Sequence, residues 1–169
     1  YTTTLNCIDQ KYPFEASIES MLGFCDQVVV VDGGSKDGTW ERLEEISSKN
    51  ENIIIHRQER DWEDKRFAVF DGLQKALARS LCTGNFCSQQ DCDEVVHEND
   101  YEKVKNICKN FPDTMDLIAL PVVEFWGGKE KVRADIYPWK WRLSRNRPHI
   151  THGIPANLRK FDETGHVFS

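Results

Sequence analysis

Four consecutive valines, Val28 to Val31, run directly into Asp32-Gly33-Gly34-Ser35, and this junction limits the possible folds more than any other stretch of the chain. A continuous β-branched run offers no polar face to water, so it suits a strand buried on both sides. Such a strand needs layers packed above and below it. The run then delivers a carboxylate at its end. Two glycines follow, which let backbone approach a ligand closely. The helix expected after them favours anions at its N-terminus. Asp32 is placed to accept hydrogen bonds from a base imide or a ribose hydroxyl, and Gly34 to bring backbone near a cofactor. The alternative is a plain strand-to-helix turn capped by Asp37 or Thr39, and for those two residues the capping role is preferred.

Elsewhere the apolar period switches repeatedly between two and three-to-four. Thr2 to Ile8 reads as a first strand. Pro13 opens a helix carrying Phe14, Ile18, Met21 and Leu22 on one face. Trp40, Leu43 and Ile46 mark a short helix, and Ile53-Ile54-Ile55 a third buried strand. Phe67, Phe70, Leu73, Leu77 and Leu81 form the apolar stripe of a long helix. Asn85 to Gln90 is a fourth strand. Asn99 and Glu102 resemble a capping box ahead of another helix, and Leu117 to Val123 is a further strand. Alternation of this kind implies a mostly parallel sheet with helices on both faces. Ligands then bind beyond the carboxyl ends of the strands. After Trp126-Gly127-Gly128 the pattern changes. Tyr137 to Leu143 alternates aromatic and basic residues, as an antiparallel strand or a hairpin covering the site. Arg145 to Ser169 reads as loops with short elements.

The length of 169 residues suits one domain, with residues 1–125 as a ligand-binding half and 126–169 as an acceptor-side half. The chain starts on a strand-like Tyr1-Thr2-Thr3-Thr4 without an initiator Met, as expected of a piece of a longer protein. The formal charge of −6, with scattered Lys and Arg, argues against nucleic acid as a partner. No apolar run approaches the roughly 18 residues of a membrane span. The six cysteines include no Cys-x-x-Cys pair, so free thiols in a reducing, cytoplasmic setting are expected.

Asp91-Cys92-Asp93-Glu94 follows the fourth strand. Three carboxylates within four residues repel one another and are costly to desolvate, so they face water, a cation or chemistry. A hard divalent cation suits such oxygen ligands and bridges to phosphate oxygens. A solvated acidic turn is the alternative. Because Asp32 and the Asp91/Asp93 pair each follow a strand, both fall on one sheet edge and are read as one site.

Together, Val29 to Thr39 and the acidic motif 59 positions after Asp32 resemble the signatures of family 2 glycosyltransferases. The likeness covers roughly residues 1–125 and implies the GT-A fold, a Rossmann-like nucleotide-diphospho-sugar-binding domain. Gly33 departs from it, because the family often has a second Asp there. The first strand departs too, since Asn6-Cys7-Ile8-Asp9 stands where an Asn-Glu pair is common. The resemblance implies a nucleoside-diphosphate sugar as donor and manganese or magnesium as cofactor. A glycan, lipid-linked or protein acceptor would take the sugar, usually with inversion. Asp32 would meet the base or ribose, Asp91 the ribose side or the metal's water shell, and Asp93 the metal.

In similar proteins the loop Asp61 to Arg66 lies beside the nucleotide, so Lys65 or Arg66 would steady the diphosphate. A solvated charged loop is the alternative, as core packing is for Trp62. For the general base, Glu124 ranks first, then Asp135, then Asp162, although an ion-paired or exposed carboxylate is the plainer role of each. His149, His152 and His166 match no metal spacing and read as ordinary histidines. Trp139 and Trp141 share a strand face, as a sugar platform or as core.

Other readings differ in what they explain. The motif Asp91-Cys92-Asp93-Glu94-Val95 also fits a haloacid-dehalogenase-like phosphatase, with Asp91 as nucleophile. That motif normally sits near a domain's start, and the reading leaves Asp32-Gly33-Gly34-Ser35 unexplained. A non-catalytic nucleotide-sugar-binding module is a second alternative. A nucleotidyltransferase is a third, but its usual Gly-rich basic loop near the N-terminus is not seen.

Overall fold

The computed structural model describes residues 1–152 and the backbone of two short strands beyond them, residues 160–161 and 167–168. Strand β2 (Val28–Asp32) is buried at every position and lies between β1 (Thr2–Thr4) and β3 (Ile53–Arg57), all parallel. Its side chains alternate between two cores. Val28 and Val30 meet Phe14, Ile18 and Met21 of α1 (Phe14–Leu22) and Leu43 of α2 (Thr39–Ser48). Val29 and Val31 meet Ala78 and Leu77 of α3 (Phe67–Ser80) on the other side. Each valine is fully buried, contributing on the order of 1.5–3 kcal/mol of transfer free energy. The mixed α/β architecture with helices on both faces thus follows from the valine run.

A second sheet has the order β4 (Phe86–Ser88), β6 (Trp139–Arg145), β5 (Leu117–Pro121), both pairings antiparallel. Tyr1 joins the two sheets. Its nitrogen donates to the Ser88 carbonyl at 2.7 Å, and its own carbonyl accepts from Gln90 N–H at 3.1 Å. This is the hydrogen-bond pattern of parallel neighbours, so β4 runs alongside β1. Helix α4 (Tyr101–Lys109) follows a single 3₁₀ turn, Glu98–Asp100. Strands β7 (Lys160–Phe161) and β8 (Val167–Phe168) pair antiparallel.

Several expectations are corrected. The first strand stops at Thr4 rather than Ile8, because the chain turns at Asn6, whose φ is +48°. The third strand is an edge strand with Ile54 exposed, since nothing pairs on its outer side among the described residues. The long helix does not bury the stripe read from the sequence. Phe67 and Leu73 are exposed, whereas Val69, Gln74, Ala78 and Arg79 face inward. Two of those inward residues are polar and were recruited for hydrogen bonds. Gln74 Nε2 donates to Val31 O at 2.8 Å, and Arg79 donates to Ser144 Oγ at 2.7 Å and to the Arg145 carbonyl at 2.7 Å. There is no capping box at Asn99. The His97 side chain accepts from Asn99 N–H instead. Of the two forms expected for Tyr137 to Leu143, the antiparallel strand is the one seen from residue 139, as an interior strand between β4 and β5 rather than a hairpin over the site. Residues on either side of position 125 therefore share one sheet.

Candidate functional site

The carboxylate that ends β2 is completely buried and fully engaged. Asp32 Oδ1 accepts from Gly34 N–H at 3.0 Å and Ser35 N–H at 2.8 Å, and Oδ2 accepts from Ser35 Oγ at 2.6 Å and Thr4 Oγ1 at 2.9 Å. A carboxylate offers about four lone-pair positions, so none is left for a ligand. Asp32 holds the Gly33-Gly34-Ser35 turn against β1. Gly34 sits at φ +88°, where its N–H reaches back to Asp32. Asn6 clasps the same turn: its N–H donates to Ser35 Oγ at 2.8 Å and its Oδ1 accepts from Lys36 N–H at 2.9 Å. Asp37, one residue before the Gly38 N-cap of α2, braces the helix start by accepting from Thr39 N–H at 3.0 Å and Thr39 Oγ1 at 2.6 Å.

The acidic turn after β4 is organised by two cations from distant parts of the chain. Asp91 Oδ1 pairs with Lys75 Nζ of α3 at 2.9 Å and accepts from Gln89 Nε2 at 2.8 Å. Asp91 Oδ2 accepts from Arg142 Nη2 of β6 at 2.9 Å. Arg142 also binds Glu94 Oε1 and Gln89 Oε1. Burial pushes the Asp91 carboxyl up, but Lys75 and Arg142 outweigh it and hold the group below the usual carboxylate range. Burial likewise pulls the Lys75 ammonium down, and Asp91 with Asp71 more than reverses this. Asp93 differs from its neighbours. It is exposed, with no hydrogen bond or ion pair among the described residues.

A cleft of about 330 Å³ joins these parts. Thr3, Thr4 and Leu5 form one wall, Asp91, Cys92 and Asp93 another, and Phe67, Phe70, Asp71, Gln74 and Lys75 of α3 a third. The glycine turn adjoins it. A Cβ on Gly33 would lie 3.2–3.4 Å from Gln74, Leu5 and Phe70, all cleft residues. The two motifs expected on one sheet edge therefore meet at one cleft. Arg60 lines it as well, its guanidinium 4.0 Å from the Phe67 ring centroid and 4.8 Å from that of Trp62. Its Nε and Nη2 are buried beneath these rings and have no hydrogen-bond partner among the described residues.

Other expected residues lie elsewhere. Arg66 is bound to Asp64 at 2.7 and 2.9 Å at the head of α3 and does not line the cleft. Trp62, Trp139 and Trp141 are all exposed, which removes core packing as their role. Glu124 and Asp135 share Arg133: one bond to Glu124 Oε1 at 3.1 Å, and two to Asp135 at 3.0 and 2.9 Å. They belong to a hairpin where Phe125 pairs with Val132. A wider hollow of about 780 Å³ there is lined by Trp126 and residues 131–135. It holds no carboxylate cluster, so the smaller cleft is the better candidate for the chemistry. His149 lies 3.9 Å from Asp116, and His152 Nδ1 is 3.2 Å from the Tyr1 hydroxyl. Among the described residues, no three His, Cys, Asp or Glu side chains converge as a metal-holding group. Asp162 and His166 lie outside the described residues.

Lys75, Arg142, Gln89 and Arg60 carry much of the site and were not found from sequence. Their one visible signal was Arg142 within the alternating aromatic-basic stretch, and that pattern does not say which carboxylate it meets.

Residues 11–164 match the family model described as glycosyl transferase family 2. Two solved structures are similar. The crystal structure of S. aureus TarS has a TM-score of 0.59 and 16% identity, covering 86% of this chain and 27% of that one. The structure of S. aureus TarS 1-349 has a TM-score of 0.54 and 16% identity, covering 86% and 45%. The chain thus spans under half the length of either, and at this identity the likeness speaks for the fold. No curated protein matches the chain. Among the described residues, no helix is long and apolar enough to cross a membrane.

Proposed function

Because the chain belongs to glycosyl transferase family 2, we propose that it moves a sugar from a nucleoside-diphosphate sugar to an acceptor hydroxyl, with inversion and with manganese or magnesium held at Asp93. The observation that carries this reading is the shared cleft, where an unpartnered Asp93 lies beside the glycine turn after β2. The residues fit a cation of this kind. Such ions are commonly held by one or two carboxylates, with water and substrate phosphates completing the shell, so a three-residue protein cage is not needed. When bound, the ion would offset the negative charge that builds on the departing diphosphate.

The chain's own groups take the remaining tasks. Asp32 fixes the Gly33-Gly34-Ser35 turn so that backbone faces the nucleoside, and acts through that turn rather than by direct contact. Lys75 and Arg142 keep Asp91 ionised and in place. Arg60, whose side chain lines the cleft, supplies positive charge for the diphosphate, the task that the resemblance implies for Lys65 or Arg66. Neither Glu124 nor Asp135 lines the cleft, so each could serve as the acceptor's base only if the hairpin that carries them reached the cleft; of the two, Glu124 stands ahead. Arg133 occupies both oxygens of Asp135 but only Oε1 of Glu124. Membership of this family also removes the phosphatase alternative, and Asp91, held by three donors, is poorly placed as a nucleophile.

The test is a thermal-shift screen of nucleoside diphosphates with and without manganese. Stabilisation that needs both is expected, because a ligand that binds only the folded state raises its melting temperature. If no nucleoside diphosphate shifts the protein even with metal present, the reading fails.

A further inference from the structure

We propose that Cys7 and Cys92 are a peroxide-sensitive thiol pair that closes into a reversible intramolecular disulfide across the cleft's rim. Their sulfurs lie 3.8 Å apart although 85 positions separate them in sequence. Cys7 follows β1 and is fully buried within the core formed with Phe14, Ile18 and Met21. Cys92 is partly buried, packs against that core and also lines the cleft. One sulfur is therefore reachable from solvent, and the second waits directly behind it. Neither is tied into a disulfide, and none of the other four cysteines lines this cleft.

The chemistry needs one oxidant, hydrogen peroxide. Once deprotonated, Cys92 attacks a peroxide oxygen and the O–O bond breaks; its hydrogen bond with Cys7, burial and the flanking Asp91 and Asp93 hold this thiol's pKa up, so the step is slow at neutral pH. The product is a sulfenic acid at Cys92, and hydroxide leaves to become water. The Cys7 sulfur then attacks the Cys92 sulfur. The S–O bond breaks, and the hydroxyl departs as water with the Cys7 proton. In sum, two thiols lose two electrons and two protons, and one peroxide becomes two waters. A dithiol reductant reverses the step by thiol–disulfide exchange.

Closure draws the sulfurs from 3.8 Å to the roughly 2.05 Å of a disulfide. Cys92 stands between Asp91 and Asp93, so any backbone shift on the Cys92 side that accompanies closure is carried into the turn that holds both carboxylates. The expected consequence is a loss of metal-dependent nucleotide binding in the oxidised protein. That consequence rests on the glycosyltransfer reading, whereas formation of the bond does not.

The experiment treats the wild-type chain with hydrogen peroxide, alkylates the remaining thiols, and reads the digest by mass spectrometry. The expected result is a linked peptide joining Cys7 to Cys92, with the other four cysteines alkylated. In Cys7→Ser, Cys92 should stop at a sulfenic acid trapped by dimedone. In Cys92→Ser, Cys7 should stay reduced. Nucleoside diphosphate with manganese should shift the melting temperature of the reduced protein but not of the oxidised one, and dithiothreitol should restore the shift. The proposal is overturned if peroxide leaves both thiols open to alkylation, over-oxidises Cys92 without a link, or links a different pair. It is also overturned if the linked form keeps the full nucleotide shift. If the link forms but the reduced protein shows no shift, the glycosyltransfer reading fails and the thiol pair stands.

Discussion

Arg142 donates to Asp91 at 2.9 Å across 51 positions of sequence, and the same guanidinium nitrogen reaches Glu94. A strand from the C-terminal third thus neutralises part of the acidic turn. The Arg142 side chain is 13% exposed, so the pair is partly shielded from water. Arg142→Ala leaves two carboxylates with only Lys75 as counter-charge. Stability should fall by about 1–3 kcal/mol, below a fully buried pair because Asp91 retains solvent contact. Arg142→Lys should recover less than half of this, since an ammonium lacks the fork that reaches Asp91, Glu94 and Gln89 together. Urea denaturation at neutral pH measures both.

Asp32→Asn tests whether this residue holds the turn or touches the nucleotide. An amide in its place turns two hydrogens toward groups that are themselves donors. A loss of about 2–4 kcal/mol is expected, because buried polar groups are left unpaired. A nucleotide contact alone would weaken binding and leave the urea midpoint where it was.

Gly34→Ala should destabilise by about 1–2 kcal/mol, because an L-residue is strained at φ +88°. The added Cβ has ordinary room, 3.4 Å from the Glu59 Cα, so the cost lies in the backbone. Restored stability in added osmolyte without restored nucleotide affinity would show that the turn's shape itself is read by the ligand.

Asp93→Ala should leave stability within about 0.5 kcal/mol, as expected for an exposed residue without partners. It should nonetheless abolish the manganese dependence of the nucleotide thermal shift. Unchanged metal dependence would move the cation elsewhere.

Asp91 gives stability a defined acid limb. Its folded pKa lies below the ordinary 3.8, so its contribution is complete above that value and is lost as pH falls through the lowered one. Asp91→Asn should therefore flatten the urea midpoint's fall below about pH 4, near the unfolded carboxylate's value. A parallel fall in both proteins would mean that other carboxylates set the limb.

The sequence made the parallel sheet legible because Val28 to Val31 admits few environments. It also placed Asp32 and Asp91 at strand ends, and the cleft brings their turns together. What it hid was non-local. Nothing around Arg142 or Lys75 names Asp91 as a partner, because a parallel-to-antiparallel switch in the sheet determines who meets whom. The buried face of α3 was misread for a related reason. Gln74 and Arg79 look like surface residues until the strand-end carbonyls they satisfy are known. Lys65 or Arg66 is expected at the diphosphate from nearness to a helix start, yet Asp64 holds Arg66.

The insertion of β6 between β4 and β5 has a consequence for how the protein is made. During synthesis from the N-terminus, β4 emerges more than fifty residues before the strand that completes its edge, and the acidic turn follows β4 directly. Until Trp139–Arg145 leaves the ribosome, β4 is an open edge with unpaired backbone groups, and Asp91 lacks Arg142. Pairings of such long sequence separation also slow folding. The nascent chain thus passes through a stage in which its most acidic turn is also its least finished, and a chaperone that shields that edge would act there.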